Sequence, residues 1–184
     1  DMGFKAAERA IKNAGLKNED IDLIVLPTIC PDFAWPATAC MVAKKLGLKP
    51  EFIDGDWRHG ADATAIEARL AADKQHAIKA VCVVHNETST GVTSRIGDVR
   101  KAIDRAQHPA LYLVDTISSL ASIDYRHDEW GVDVTVAGSQ KGLMLPPGLS
   151  FNAVSDKALA ATKTSTLPKS YWSWEEMLGP NKNG

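Results

Sequence analysis

Apolar positions recur along the chain in two periods, one near 3.6 and one of continuous short runs. Phe4, Ala7, Ile11 and Ala14 fall at helical spacing over 3–14, and Gly15 stops that helix. Residues 21–26 read as a strand ended by Pro27. Residues 36–46 read as a helix, with Pro36 in its first turn and Gly47 past its end. Residues 51–54 predict a short strand. Asp62 is placed to cap a helix running to about residue 73, with Glu67 and Arg69 on its wet face.

The second half is more regular. Ala-Val-Cys-Val-Val-His (80–85) is a continuous apolar strand, a pattern of sheets covered on both faces. Ser94 is placed to cap a helix over about 95–106. Strands follow at 110–114, 133–137 and 149–154, then a helix from Ser155 and a last helical stretch from 171–174. Strands alternating with helices of about ten residues predict an α/β fold. The expected architecture is three-layer α/β/α with a mostly parallel sheet, and ligands at the strand C-termini.

Composition narrows the class. The 184 residues suffice for one domain with a real core. Hydrophobic residues make up 45%, and the net charge of −2 points to neither nucleic acid nor an acidic membrane. No apolar run has the length of a membrane span. Cys30, Cys40 and Cys82 are odd in number and irregularly spaced, which predicts reduced thiols and a cytoplasmic protein. His59, His76, His85, His108 and His127 show no metal-ligand spacing, so no metal site is expected. The chain opens at Asp1 inside a predicted helix and closes on Gly-Pro-Asn-Lys-Asn-Gly; both ends read as cuts through something larger.

The candidate chemistry sits at two strand ends. Val-Thr-Val-Ala-Gly-Ser-Gln-Lys-Gly-Leu (134–143) delivers Lys141 to a loop, and Ala-Leu-Tyr-Leu-Val-Asp (110–115) ends on Asp115. An amine and a carboxylate at neighbouring strand ends suit pyridoxal phosphate. The amine captures the cofactor, and the carboxylate keeps its pyridine nitrogen protonated. Each residue has a plainer reading. Lys141 alone would be a solvated surface group. Asp115 could cap a turn through Asp-Thr-Ile-Ser-Ser, Thr88 and Ser89 could form a turn, and Ile117 could be ordinary core. Trp172 and Trp174 read as packing residues.

Three motifs raise the first reading. They are His-Asn-Glu-Thr-Ser-Thr-Gly (85–91), Val-Asp-Thr-Ile-Ser-Ser-Leu (114–120) and Gly-Ser-Gln-Lys-Gly-Leu-Met-Leu-Pro-Pro-Gly-Leu (138–149). With them, residues from about 44 to 184 resemble the serine–glyoxylate and alanine–glyoxylate aminotransferases, fold-type I enzymes of class V. The spacing 141 − 115 = 26 also matches that family. The resemblance implies part of an aminotransferase large domain. It implies Lys141 as the Schiff-base lysine and proton carrier, Asp115 against the pyridine nitrogen and Ile117 on one ring face. It implies Gln140 at the phosphate and Thr88 as a hydroxyl close to the cofactor. Small amino and keto acids as substrates and a homo-oligomer follow from the same resemblance.

The front differs. Residues 6–26 and Pro-Asp-Phe-Ala-Trp-Pro-Ala-Thr-Ala-Cys-Met-Val-Ala-Lys-Lys-Leu-Gly (31–47) resemble 3-oxoacyl-acyl-carrier-protein synthase III, of thiolase fold. Cys40 matches a non-catalytic position of that family, and Trp35 belongs to this stretch rather than to the cofactor site. The expected organisation is a 1–47 segment and a 48–184 partial large domain, joined near 44–50 as a chimera or fusion and forming one structural unit. The competing expectation is a folded scaffold that keeps the motifs without catalysis.

Overall fold

The computed structural model describes residues 2–15, 17, 50–165 and 173–181. The predicted elements at 21–26 and 36–46, and Cys30, Trp35, Cys40 and Trp172, lie outside these residues. Two compact units emerge, one of Ile53–Thr162 and one of Asp1–Phe52 with Lys163–Gly184.

Within the second of these units, α1 spans Met2–Asn13, as the spacing predicts, and Gly15 follows it with φ +69°. That left-handed conformation is the usual way for a helix to end on glycine. Trp174 opens a short helix, Trp174–Asn181, which carries Glu175 and Glu176 in its first turn, where the helix dipole favours negative charge.

The Ile53–Thr162 unit carries the sheet. Its helices and strands run α2 (Ala63–Ala72), β1 (Ala80–Val84), β2 (Asn86–Glu87), β3 (Val92–Thr93), α3 (Ile96–Arg105), β4 (Leu111–Asp115), β5 (Val134–Gly138), β6 (Ser150–Val154) and α4 (Asp156–Thr162). The strand order is β1-β4-β5-β6. β1, β4 and β5 are parallel, and β6 runs antiparallel to β5. The chain segment between β5 and β6 is too short for a parallel crossover, so the last strand must return. The expected mostly parallel α/β sheet is present.

One face of the sheet meets α2 and α3. Val83, Tyr112 and Val114 from the strands pack with Ile66, Leu70, Ile96, Val99 and Ile103 from the helices. Tyr112 is fully buried, and its hydroxyl donates to the Ile96 carbonyl at 3.2 Å. Arg105 on α3 donates to Glu67 on α2 at 2.8 Å, so the two helices are also tied at their wet edge. Ile103 is completely buried. Ile103→Val should therefore cost about 1 kcal/mol, read as a lower denaturant midpoint at unchanged slope.

Two buried carboxylates fasten the N-terminal end of the sheet. Asp133 accepts the Tyr112 amide (2.8 Å) and the Ser155 hydroxyl (2.8 Å), joining β4, β5 and the start of α4. Asp73, after α2, accepts the Ile78 amide (2.7 Å) and meets His108 Nε2 at 3.2 Å. The Ile78 amide is the main reason that its pKa lies at about 2. His108 Nδ1 accepts the Ala110 amide at 3.1 Å, so Nε2 carries the proton given to Asp73. Both groups are structural, at the end of the sheet away from the motif loops.

Three sequence expectations are corrected. Residues 51–54 form no strand. Phe52 and Ile53 are exposed, and no strand among the described residues pairs with them. Ser94 does not cap α3. The N-cap position is Arg95, and the Ser94 hydroxyl instead accepts the Ala61 amide at 3.1 Å. The run at 80–85 is not covered throughout, because β1 is an edge of the four-stranded sheet and Cys82 and Val84 are exposed. By contrast, Asp62 caps α2 as expected, accepting the Thr64 and Ala65 amides at 2.8 and 3.1 Å.

Candidate functional site

Three parallel strands end along one edge, and each delivers a motif there. β1 ends into His85 and Asn86, β4 ends on Asp115, and β5 ends on Gly138, three residues before Lys141. Val84 and Val136 flank Asp115 in the sheet register. Parallel strands impose this clustering, since their C-termini all point the same way.

Asp115 is exposed, and its Oδ1 accepts the Ile117 amide at 2.8 Å. This Asx turn reverses the chain directly after β4. It also fixes the carboxylate, leaving Oδ2 with no donor among the described residues. Thr116 is buried and bonds the Val136 carbonyl twice, through its amide and its hydroxyl, each at 2.9 Å. The turn is thereby pinned to β5.

Ile117 and Gln140 come together over Gly138. A Cβ on Gly138 would lie 3.1 Å from Gln140 Oε1 and 3.5 Å from Ile117 Cδ1. The glycine, itself buried, lets an aliphatic side chain and a carboxamide close over its backbone. Lys141 is exposed, in the turn that follows β5. Its carbonyl accepts the Met144 amide at 2.9 Å.

That turn is held from both sides. Buried Ser139 donates its hydroxyl to the Pro146 carbonyl at 2.6 Å and accepts the Leu149 amide at 3.3 Å. Gly142 packs so closely on the 120–122 segment that a Cβ there would overlap the Leu120 carbonyl and Ser122 Oγ. Only glycine fits, so the residue after Lys141 is locked to the turn that starts at Asp115. Ala121 and Met144 both adopt positive φ, +65° and +54°, on either side of this contact. Backbone strain of this kind persists only where surrounding structure dictates it.

Thr88 lies in the exposed turn of the β2–β3 hairpin, closed by the Gly91 amide on the Glu87 carbonyl at 2.8 Å. Ser89 donates both its amide and its hydroxyl to Glu87. No hydrogen bond joins Thr88 to Asp115, Gln140 or Lys141. The hairpin reaches them through Asn86, whose Nδ2 donates to Ser118 Oγ at 3.0 Å. Ser118 Oγ returns a bond to the Asn86 carbonyl at 2.9 Å.

Four residues of this edge carry no role in the sequence reading: His85, Asn86, Ser119 and Gly142. His85 is 2% exposed, with Nδ1 2.9 Å from the fully buried Ser119 Oγ. Its ring lies 5.2 Å from that of Tyr125, and Tyr125 meets Trp130 edge to face. The Tyr125 hydroxyl shares Thr135 Oγ1 with His127, at 2.6 and 2.7 Å. The available signal was a histidine and an asparagine directly after an apolar strand, in a motif followed later by a serine pair.

Burial pushes the His85 imidazole below its usual pKa, against a smaller opposite pull from Asp124. The unfolded chain thus gains a proton more readily than the folded one. Stability from this group is unaffected above about pH 6.5 and falls as the pH drops below it. Glu67, Glu87 and Asp73 all have lowered pKa values, so their contribution is lost only at more acidic pH. A thermal midpoint series between about pH 8 and pH 5 should fall on the acid side. His85→Asn should flatten it.

Comparisons with known proteins bear on this edge. The family model described as "Aminotransferase class-V" matches residues 34–168, which includes the sheet and all five candidate residues. The chain belongs to the class-V aminotransferases. A serine–glyoxylate aminotransferase from Methylorubrum extorquens is 51% identical over 148 residues, 78% of this chain and 37% of that protein. An L-aspartate–glyoxylate aminotransferase from Paracoccus denitrificans is 47% identical over 144 residues, 78% of this chain and 36% of that protein. The crystal structure of an alanine–glyoxylate aminotransferase from Nostoc sp. superposes with TM-score 0.61 at 26% identity, covering 75% of this chain and 38% of that one.

The chain thus spans about a third of the length of the curated relatives it matches. The family depends on pyridoxal phosphate. No helix among the described residues is long and apolar enough to cross a membrane.

Proposed function

We propose that this chain supplies the cofactor-holding edge of a pyridoxal phosphate-dependent aminotransferase, with capture on Lys141. The observation that carries the proposal is the Asp115–Ile117 turn, with Ile117 and Gln140 brought together over Gly138 and a tethered lysine loop after it. The residues suit the group. Asp115 offers an open carboxylate oxygen to a protonated pyridine nitrogen, a charge-assisted bond. Ile117 offers an aliphatic surface to one ring face. Gln140 offers a neutral amide to the phosphate, and Thr88 a hydroxyl close by.

When bound, pyridoxal phosphate supplies an electron sink for charge developing at the substrate's Cα. The Lys141 amine would hold the cofactor and would carry the proton removed from the substrate's Cα. Asp115 keeps the ring nitrogen protonated throughout. The Ser139 and Gly142 contacts hold the lysine loop where it can do both.

For the whole protein we propose amino transfer between small amino and keto acids, from serine or alanine to glyoxylate, in a cytoplasmic homo-oligomer. The names of the relatives carry different donors, serine, L-aspartate and alanine, so the glyoxylate side is the shared part. For this chain the proposed activity is cofactor capture with little turnover.

We also infer that residues 1–47 have a separate origin, related to 3-oxoacyl-acyl-carrier-protein synthase III, and that the partial large domain occupies 48–184. The motif order of 6–26 and 31–47 supports this. The class-V family model begins at residue 34, inside that segment.

The test is a spectral titration with pyridoxal phosphate followed by dialysis. A visible band that saturates and survives dialysis is expected. A signal that grows linearly and dialyses away would reject cofactor capture.

A further inference from the structure

The turn 115–120 carries Asp115 and Ile117, yet its own bonds are few. Ile117 is held by Asp115, and the Ser119 and Leu120 amides return to the Thr116 carbonyl at 3.0 and 2.9 Å. Thr116 ties its start to β5 and Gly142 packs on its end, and the remaining bonds come from the chain leaving β1. The His85 amide donates to the Asp115 carbonyl at 2.9 Å. The His85 ring bonds Ser119 Oγ, and Asn86 and Ser118 exchange two bonds. His85 itself is clamped by the Ser94 amide on its carbonyl at 2.8 Å and by the Tyr125 ring.

We infer that His85 and Ser119 form a latch that holds the turn in its cofactor-receiving shape before any cofactor arrives. This rests on the pyridoxal phosphate reading above. The His85 ring bonds Ser119 and meets the Tyr125 and Trp130 rings, with no hydrogen bond to a candidate cofactor residue, so it is a positioning residue and not a catalytic one. The physical reason is the burial of both partners. Ser119 Oγ is fully buried, and the His85 ring nearly so. Breaking the bond strands a polar group in the interior, which costs more than the bond contributes. The cheapest relief is for the turn to move outwards, taking Ile117 and the Asp115 carboxylate with it.

The experiment has two arms on the same proteins: wild type, His85→Leu, Ser119→Ala, the double variant and His85→Asn. The first arm measures amide hydrogen exchange at Ile117 and Leu120 without cofactor. The second measures the dissociation constant for pyridoxal phosphate. His85→Leu and Ser119→Ala should each speed exchange about tenfold and weaken binding about tenfold. The double variant should be no worse than either single one, because one bond is lost in all three. Asparagine carries a polar atom close to the Nδ1 position, so His85→Asn should restore both quantities.

Ser119→Ala is a small change that keeps the fold, and it decides the matter if His85→Leu does not fold. Unchanged exchange in Ser119→Ala overturns the latch. Faster exchange with unchanged cofactor affinity overturns its positioning role. Protected amides in a wild type that binds no cofactor would reject the cofactor reading itself, and reduce the latch to a fold element.

Discussion

Lys141→Ala is expected to abolish covalent capture of pyridoxal phosphate while leaving the fold intact. The side chain is exposed in a turn, and the bond that the turn needs from this residue uses its carbonyl, which alanine keeps. Its removal should change stability by no more than about 0.5 kcal/mol, the usual range for a surface substitution. Loss of the amine removes the nucleophile on the loop that the Ser139 and Gly142 contacts hold at this edge. Borohydride-trapped label at this peptide should disappear, while labelling elsewhere and the thermal midpoint stay as in the wild type. Trapping that persists at wild-type level would move the site elsewhere.

Asp115→Asn should lower cofactor affinity by a factor of about 10–100 at unchanged fold, through loss of a charge-assisted bond. The substitution separates two roles of one residue. An asparagine Oδ1 still accepts the Ile117 amide, so the Asx turn survives, but the charge facing a pyridine nitrogen is gone. Asp115→Ala removes both and should bind more weakly still, with faster exchange at Ile117. Equilibrium dialysis of the three proteins gives the order wild type, Asn, Ala. If asparagine bound as well as aspartate, the carboxylate would be no more than a turn former.

Much of the Ile53–Thr162 unit was legible because its strands are dense in β-branched residues and its helices keep an apolar stripe. The strands at 80–85, 110–114 and 133–137 lie within a residue or so of β1, β4 and β5, and Asp62 caps the helix it was expected to cap. The misses have a common cause. Local patterning says what a residue prefers, and a distant partner decides. Ser94 has the chemistry of a cap, yet its hydroxyl is taken by Ala61, 33 residues away. Phe52 and Ile53 look like strand residues, but no strand among the described residues pairs with them. The β2–β3 hairpin is built from Asn86, Glu87, Val92 and Thr93, too short and polar for a periodic signal.

The site divides in the same way. Asp115 and Lys141 were legible because each follows an apolar run that ends abruptly. The readings of Asp115 as a turn former and as a cofactor partner are compatible in geometry: one oxygen makes the turn, and the other has no donor among the described residues. Gly142 and the His85–Ser119 bond were not legible. A glycine in a loop and a serine pair after an aspartate are common, and only the close approach of backbone segments gives them a purpose here. Thr88 sits in a hairpin turn, the plainer of its two readings, and its hydroxyl role rests on the proposal alone.

The most direct measurement is to incubate the purified chain with pyridoxal phosphate, reduce with borohydride, and quantify label on every lysine peptide. The account requires label concentrated on Lys141 and strongly reduced in Asp115→Ala. Label spread over surface lysines, or indifferent to Asp115, would contradict it and leave a folded scaffold that keeps the motifs of its family without their chemistry.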